Sequence, residues 1–310
     1  MKRQVCIDRF VSEIWKWFGV HKRDLPWRDL RYDTNVGKRV INIKGIQTLV
    51  AFQGEGRPVL CLHGWDANHE AFKEVREALI NDPVQVIVPD LPGFGDSADP
   101  PQAWSVDDYA DFVDELVRVL ELRDVLLVGH SFGGRIAIKL ASRHASPFDS
   151  THSVRSAQDD MLSMTPWISS MYLCGAAGIR QTKYIKRTIG IFLAETGRLI
   201  FRIPGLKRFE KYARKALYKI LRVHDYEKTK GVIRETMIKV INEDLTPLLE
   251  MIDVPVDLFW GEGDRYTPLA HGKLMNKKIA QSTLHTYPGV RHGVHHHKAE
   301  EIAVEIRKGF

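Results

Sequence analysis

The 310-residue chain has little cysteine: Cys6, Cys61 and Cys174 are all there is. Three widely spaced thiols make neither a disulfide framework nor a zinc-ligand pattern, and such sparse cysteine fits a reducing cytoplasm. The sequence also has no apolar run of about 18 residues, so no transmembrane helix is expected. The N-terminal stretch MKRQVCIDRFVSEIWKWFGV is broken by Asp8 and Glu13 and is followed by no small-residue cleavage site. That pattern argues against a secretory signal. There are no internal repeats. With 44% hydrophobic and 27% charged residues, the chain has the composition of an ordinary globular protein with one large core, or a core and a smaller accessory domain.

Charge is abundant but unevenly placed. Between Arg180 and Lys239 there are 17 Lys or Arg against 5 Asp or Glu, while the whole chain carries only +6. The remainder is therefore net acidic. A basic segment of this kind is either a solvated helical face or a surface that favours an anionic membrane or ligand. Nucleic acid is not the expected partner, because the aromatics of the segment (Phe192, Phe201, Phe209, Tyr212, Tyr218) fall among apolar residues as core positions do.

The middle of the chain alternates short β-rich runs with helical periodicity, the pattern of an α/β fold with a mostly parallel sheet covered by helices on both faces. Arg39–Ile43 and Gln47–Phe52 read as a hairpin. Pro58–Leu62, Val84–Val88, Val125–Val128, Ile168–Leu173, Val256–Trp260 and Leu284–Tyr287 read as further strands, giving a sheet of the eight-stranded type. Helical spacing marks Glu70–Leu79, Val106–Leu120, Arg135–Ser142 and Ala299–Lys308. The domain division that follows is an N-terminal helical extension (1–35), a first core part (36–178), an inserted helical cap (179–243) and a second core part (244–310). Residues 146–165 read as a long surface loop.

Chemistry concentrates at four places. The run GHSFGG, Gly129 to Gly134, follows a buried strand and precedes a helix. Such a G-x-S-x-G turn presents its serine, Ser131, above the sheet as a nucleophile. The backbone N–H of Phe132 then faces developing negative charge at a helix N-terminus. The run HGWD follows the strand Pro58–Leu62, and Trp65 N–H is the second candidate oxyanion donor. His63 reads as structural. In GEGDRYTP, Asp264 lies just past a strand end, with Glu262 as the competing carboxylate. In YPGVRHGVHHH, His292 is the candidate general base, with His295, His296 and His297 as alternatives. Read differently, this histidine cluster binds a metal.

Together these residues resemble the α/β-hydrolase superfamily over Val36 to Phe310, and the order Ser131, Asp264, His292 is the order that fold implies. DLPGFGDS (Asp90–Ser97) is similar to the loop that follows the fourth strand in these enzymes. The resemblance places a cap where the basic segment lies and points to cap-bearing esterases, lactonases and carbon–carbon bond hydrolases. Serine at 131 argues against the members with an aspartate nucleophile. Two departures are the long 146–165 connection and Arg291, where the family usually has glycine before its histidine. A second, short resemblance is that of Ile14–Arg28, IWKWFGVHKRDLPWR, to the opening of A/G-specific adenine DNA glycosylases. The rest of that enzyme's machinery does not follow, so the stretch reads as an appended amphipathic helix or a relic of gene fusion, without glycosylase activity.

The resemblance implies a serine hydrolase acting on a small carboxylic ester, without metal or organic cofactor. The apolar, basic composition of the cap segment adds the expectation of an apolar part on the substrate and of peripheral contact with an anionic membrane surface, and the sparse cysteine that of a cytoplasmic location. Two alternatives stand: a carbon–carbon bond hydrolase of the meta-cleavage type, and a non-catalytic ligand-binding member of the fold.

Overall fold

The computed structural model describes residues 36–144, 166–180 and 231–309. The N-terminal stretch with the glycosylase resemblance, the 146–165 loop and most of the expected cap lie outside the described residues. Eight strands form one sheet: β1 (Gly37–Ile43), β2 (Ile46–Gln53), β3 (Arg57–Leu62), β4 (Val84–Pro89), β5 (Val125–His130), β6 (Ile168–Cys174), β7 (Val256–Gly261) and β8 (Ser282–Tyr287). Their order across the sheet is β1-β2-β4-β3-β5-β6-β7-β8. β2 runs antiparallel to its neighbours β1 and β4, and the remaining pairs are parallel. This is the expected α/β architecture.

The central strands show why the runs are continuously apolar. Every residue of β5 is buried. Alternate side chains of a strand point to opposite faces, so a strand covered on both sides needs apolar residues at every position. Leu60, Leu62, Val125 and Leu127 join the core on one face, while Val59, Cys61, Leu126 and Val128 join the core on the other. The first face is covered by α2 (Val106–Val119) and α3 (Phe132–His144), which follow α1 (Lys73–Ala78) in the chain. The second face carries α1 and the closing helix.

Helix α2 starts where its sequence dictates. The Ser105 side chain accepts from Asp108 N–H, and the Asp108 carboxylate accepts from Ser105 N–H, a reciprocal cap. Its stripe Val106, Tyr109, Phe112, Val113, Leu116 is buried. The chain then continues through α4 (Gly231–Asn242), α5 (Leu269–Lys278), α6 (Val294–His297) and α7 (Ala299–Arg307).

Helix α5 is absent from the sequence reading for a physical reason. Only Gly272 and Met275 are buried on it, so it has almost no apolar period. It packs through a missing side chain: a Cβ on Gly272 would sit 2.8 Å from the Trp260 ring. Helix α4 is the described end of the expected cap. Its Ile233 lies over Gly93, and its buried Thr236 hydroxyl accepts from Trp104 N–H at 3.0 Å. No helix among the described residues is long and apolar enough to cross a membrane.

Candidate active site

The parallel strands end on one side of the sheet, and their loops bring together residues far apart in sequence. At the end of β5 the chain turns directly into α3 through Ser131, whose φ of +50° is left-handed. A side chain adopts that region only at a cost, and the surroundings must hold it there. Three backbone bonds do so: Ser131 N–H donates to Cys174 O at 3.2 Å, and Ser131 O accepts from Ala177 at 2.9 Å and Arg135 at 3.2 Å. The turn also presses against β3. A Cβ on Gly133 would lie 1.9 Å from Leu62 O, so only glycine fits there.

Ser131 Oγ lies 2.9 Å from His292 Nε2, and His292 Nδ1 lies 2.7 Å from Asp264 Oδ2. The three residues therefore form one continuous hydrogen-bonded chain. The acceptor Asp264 fixes the tautomer: Nδ1 carries the proton, and Nε2 is free to accept from the serine hydroxyl. Burial opposes a charge on Asp264, but hydrogen bonds from His292 and Thr267 outweigh it and hold the carboxyl below its ordinary range.

The alternatives open in the sequence lie elsewhere. Glu262 is exposed, one turn from the site. His296 Nδ1 bonds to Glu74 at 2.8 Å, and His297 is exposed. His295 is buried with its ring 3.7 Å from that of His130. His63 is also buried; its Nε2 accepts from Leu91 N–H at 2.9 Å while Nδ1 faces Gly64 O, which is a structural role. Arg291 needs no glycine, since it is not among the described residues with left-handed backbone. Among the described residues, the one set of three side chains close enough to share a metal ion is Asp257, His285 and Glu305. It excludes the histidine cluster, with Asp257 near the start of β7 and His285 in the middle of β8.

On the oxyanion side, Phe132 opens α3, so its N–H has no acceptor within the helix. Trp65 follows Gly64, which passes close to the nucleophile: a Cβ on Gly64 would lie 3.5 Å from Ser131 Cβ. The rings of Trp65, Phe94 and Phe132 pack edge-on or tilted at centroid distances of 4.8 to 6.1 Å, forming an apolar wall beside these donors.

Two supports escaped the sequence reading. Thr267 N–H and Tyr266 N–H donate to Asp264 Oδ1 at 3.0 and 2.8 Å, and Thr267 Oγ1 lies 2.8 Å from Oδ2. The spacing Asp-x-x-Thr after a strand was the available signal, since Asp readily caps the turn that follows it. In the DLPGFGDS loop, the fully buried Asp90 accepts from His69 N–H at 2.6 Å, His69 Nδ1 at 2.8 Å and Asp96 N–H at 2.7 Å. That carboxylate anchors the loop on which α4 sits.

The sequence model of the alpha/beta hydrolase family matches residues 59–305. The AB hydrolase superfamily protein YisY of Bacillus subtilis is 29% identical over 250 residues, covering 80% of this chain and 90% of that protein. Among solved structures, an esterase from Exiguobacterium antarcticum superposes with a TM-score of 0.60 at 22% identity, covering 87% of this chain and 97% of that one. A meta-cleavage product hydrolase from Pseudomonas fluorescens matches with a TM-score of 0.61 at 20% identity, covering 88% and 97%. At these identities the two structures speak to the fold alone.

Proposed function

Since this chain belongs to the alpha/beta hydrolase family, we propose that it is a serine hydrolase that cleaves carboxylic esters through an acyl-enzyme on Ser131. The observation that carries this reading is the unbroken chain from Ser131 Oγ through His292 to Asp264, with contacts of 2.9 and 2.7 Å.

Ser131 Oγ attacks the ester carbonyl as His292 Nε2 takes its proton. Asp264 keeps the imidazole oriented and stabilises the imidazolium. The N–H groups of Phe132 and Trp65 hold the oxyanion. Collapse of the tetrahedral intermediate breaks the bond to the alcohol, which leaves with the proton from His292. Water then gives its proton to His292 and attacks the acyl carbon. The carboxylic acid departs as the proton returns to Ser131. Each oxyanion donor supplies about 3–4 kcal/mol in comparable sites.

The substrate carries an apolar part, which the wall of Trp65, Phe94 and Phe132 favours. The basic segment of the cap would bring the enzyme to anionic interfaces. Phosphatidylglycerol vesicles should then raise turnover of lipid-like esters and co-sediment the protein; neither response on neutral vesicles or on anionic ones would end the interfacial part of the proposal.

The direct test is labelling by a fluorophosphonate probe with a panel of nitrophenyl esters of increasing chain length. Wild type should label stoichiometrically and turn over esters, while Ser131→Ala should do neither. Folded wild type that fails to label would favour a ligand-binding role. The same triad serves carbon–carbon bond hydrolysis of the meta-cleavage type. Faster turnover of a dienone-acid ring-cleavage product than of any ester would move the assignment there.

A further inference from the structure

Nucleophile, oxyanion turn and base arrive on three separate strand ends: β5, β3 and β8. Parallel pairing aligns the strands but leaves open how the loops beyond them are held against one another. Backbone bonds tie the elbow to the end of β6, and Gly263 N–H to Val290 O ties the acid loop to the base loop. Among the described residues, only two hydrogen bonds join the elbow to the base loop. One is the contact between Ser131 and His292 itself. The other runs from His130 Nε2 to the backbone carbonyl of His292, at 3.2 Å.

His130 meets the oxyanion turn, the base loop and the helix after the base without reaching the reacting atoms. It is covalently next to Ser131. Its Nε2 must carry the hydrogen, because its partner is a carbonyl oxygen that can only accept. The opposite ring edge faces the oxyanion turn: Nδ1 lies 2.8 Å from the position a Cβ would take on Gly64. That nitrogen is buried and has no hydrogen-bond partner among the described residues. The ring packs, tilted by 33°, against that of His295 at 3.7 Å between centroids, which seats the helix that follows the base. A second shared contact is with the His292 ring, 4.9 Å away.

We infer that His130 is a positioning residue whose imidazole, wedged between Gly64, His292 O and His295, sets the distance between Ser131 Oγ and His292 Nε2. The absent side chain at Gly64 is the space that ring edge needs. Removing the donor frees the His292 carbonyl, leaving the base loop tied to the elbow only by the reactive contact. Small misplacement at reacting atoms is expensive in rate.

The inference rests on the serine-hydrolase reading, and the experiment separates the two. Wild type, His130→Gln, His130→Phe and His130→Leu are compared by thermal melting, ester kinetics and the rate of fluorophosphonate labelling across pH. Glutamine retains a donor for His292 O; phenylalanine and leucine do not. The Phe and Leu variants should lose about 10- to 100-fold in kcat, with KM changed by less than about threefold. Their labelling profile should shift along pH because His292 is no longer held in place, and His130→Gln should recover most of both. Use of two donor-less variants keeps the comparison alive if one fails to fold. Folded Phe or Leu variants with wild-type kcat and an unshifted labelling profile would overturn the positioning role, as would a Gln variant no better than they are. Wild type that does not label at all would instead overturn the serine-hydrolase reading, and the positioning role with it.

Discussion

His130 and His295 are two fully or nearly buried imidazoles, and neither ring nitrogen of His295 has a hydrogen-bond partner among the described residues. Burial, followed by the neighbouring His292 and His296, pushes His130 down to about 3 from the usual 6.5. Burial and the surrounding histidines 130, 296, 292 and 297 push His295 well down as well. Both are neutral in the folded protein over the physiological range, while the unfolded chain takes up protons below about 6.5. Stability is therefore full above pH 6.5 and falls progressively as pH drops toward the depressed folded values. His295→Phe removes one of these groups and costs no hydrogen bond, so it should be neutral or stabilising at pH 7.5 and flatten the fall in melting temperature toward pH 5. An unchanged slope between pH 7.5 and 5 would contradict this. Thr267 makes the opposite case. Its buried hydroxyl lies 2.8 Å from Asp264 Oδ2 and 2.9 Å from Gly175 O, and its one hydrogen serves one of these acceptors. Thr267→Val keeps the shape and removes the hydroxyl, which should cost about 1–3 kcal/mol of stability, read by urea titration.

At the level of elements, the legible parts were those whose burial imposes a pattern. β3 and β5 are covered on both faces and read as unbroken apolar runs. α2 announced itself through its apolar spacing, and the structure adds Ser105 as its N-cap. Replacement of that serine by alanine should destabilise the protein by about 1 kcal/mol, read by urea titration. α5 was not legible, since its fit depends on Gly272 against the Trp260 ring rather than on an apolar period. The 3-10 turn His69–Phe72 ahead of α1 was read as ordinary helix, because its distinguishing feature is the distant Asp90 carboxylate that His69 grips. α4 offers an element-scale test. Thr236→Val leaves Trp104 N–H without its acceptor and should loosen the helix from the loop after β4. Hydrogen exchange should rise over residues 91–105 and 231–242, and no change there would show that α4 is seated by Ile233 alone.

For the whole molecule, Ser131, Asp264 and His292 were readable because each follows a strand end that the apolar runs locate. The sequence ranked His292 ahead of three nearby histidines and Asp264 ahead of Glu262 without removing the alternatives, because only the fold shows which side chains point toward Ser131. The supports of the site were hidden for the same reason. His130 looks like the variable position of a motif until the fold sets it beside a carbonyl 162 residues away.

The separation of 161 residues between Ser131 and His292 also has a consequence for the order in which the protein is made. A nascent chain that has emerged only as far as β6 already contains the elbow and both of its backbone restraints from that strand. It has nothing to take the serine proton. On the proposed reading, the hydroxyl stays an ordinary alcohol until β7 and β8 have emerged and joined the sheet. Reactivity on that reading follows the pairing of β7 and β8, and a chain that stops short of them has an elbow without a base.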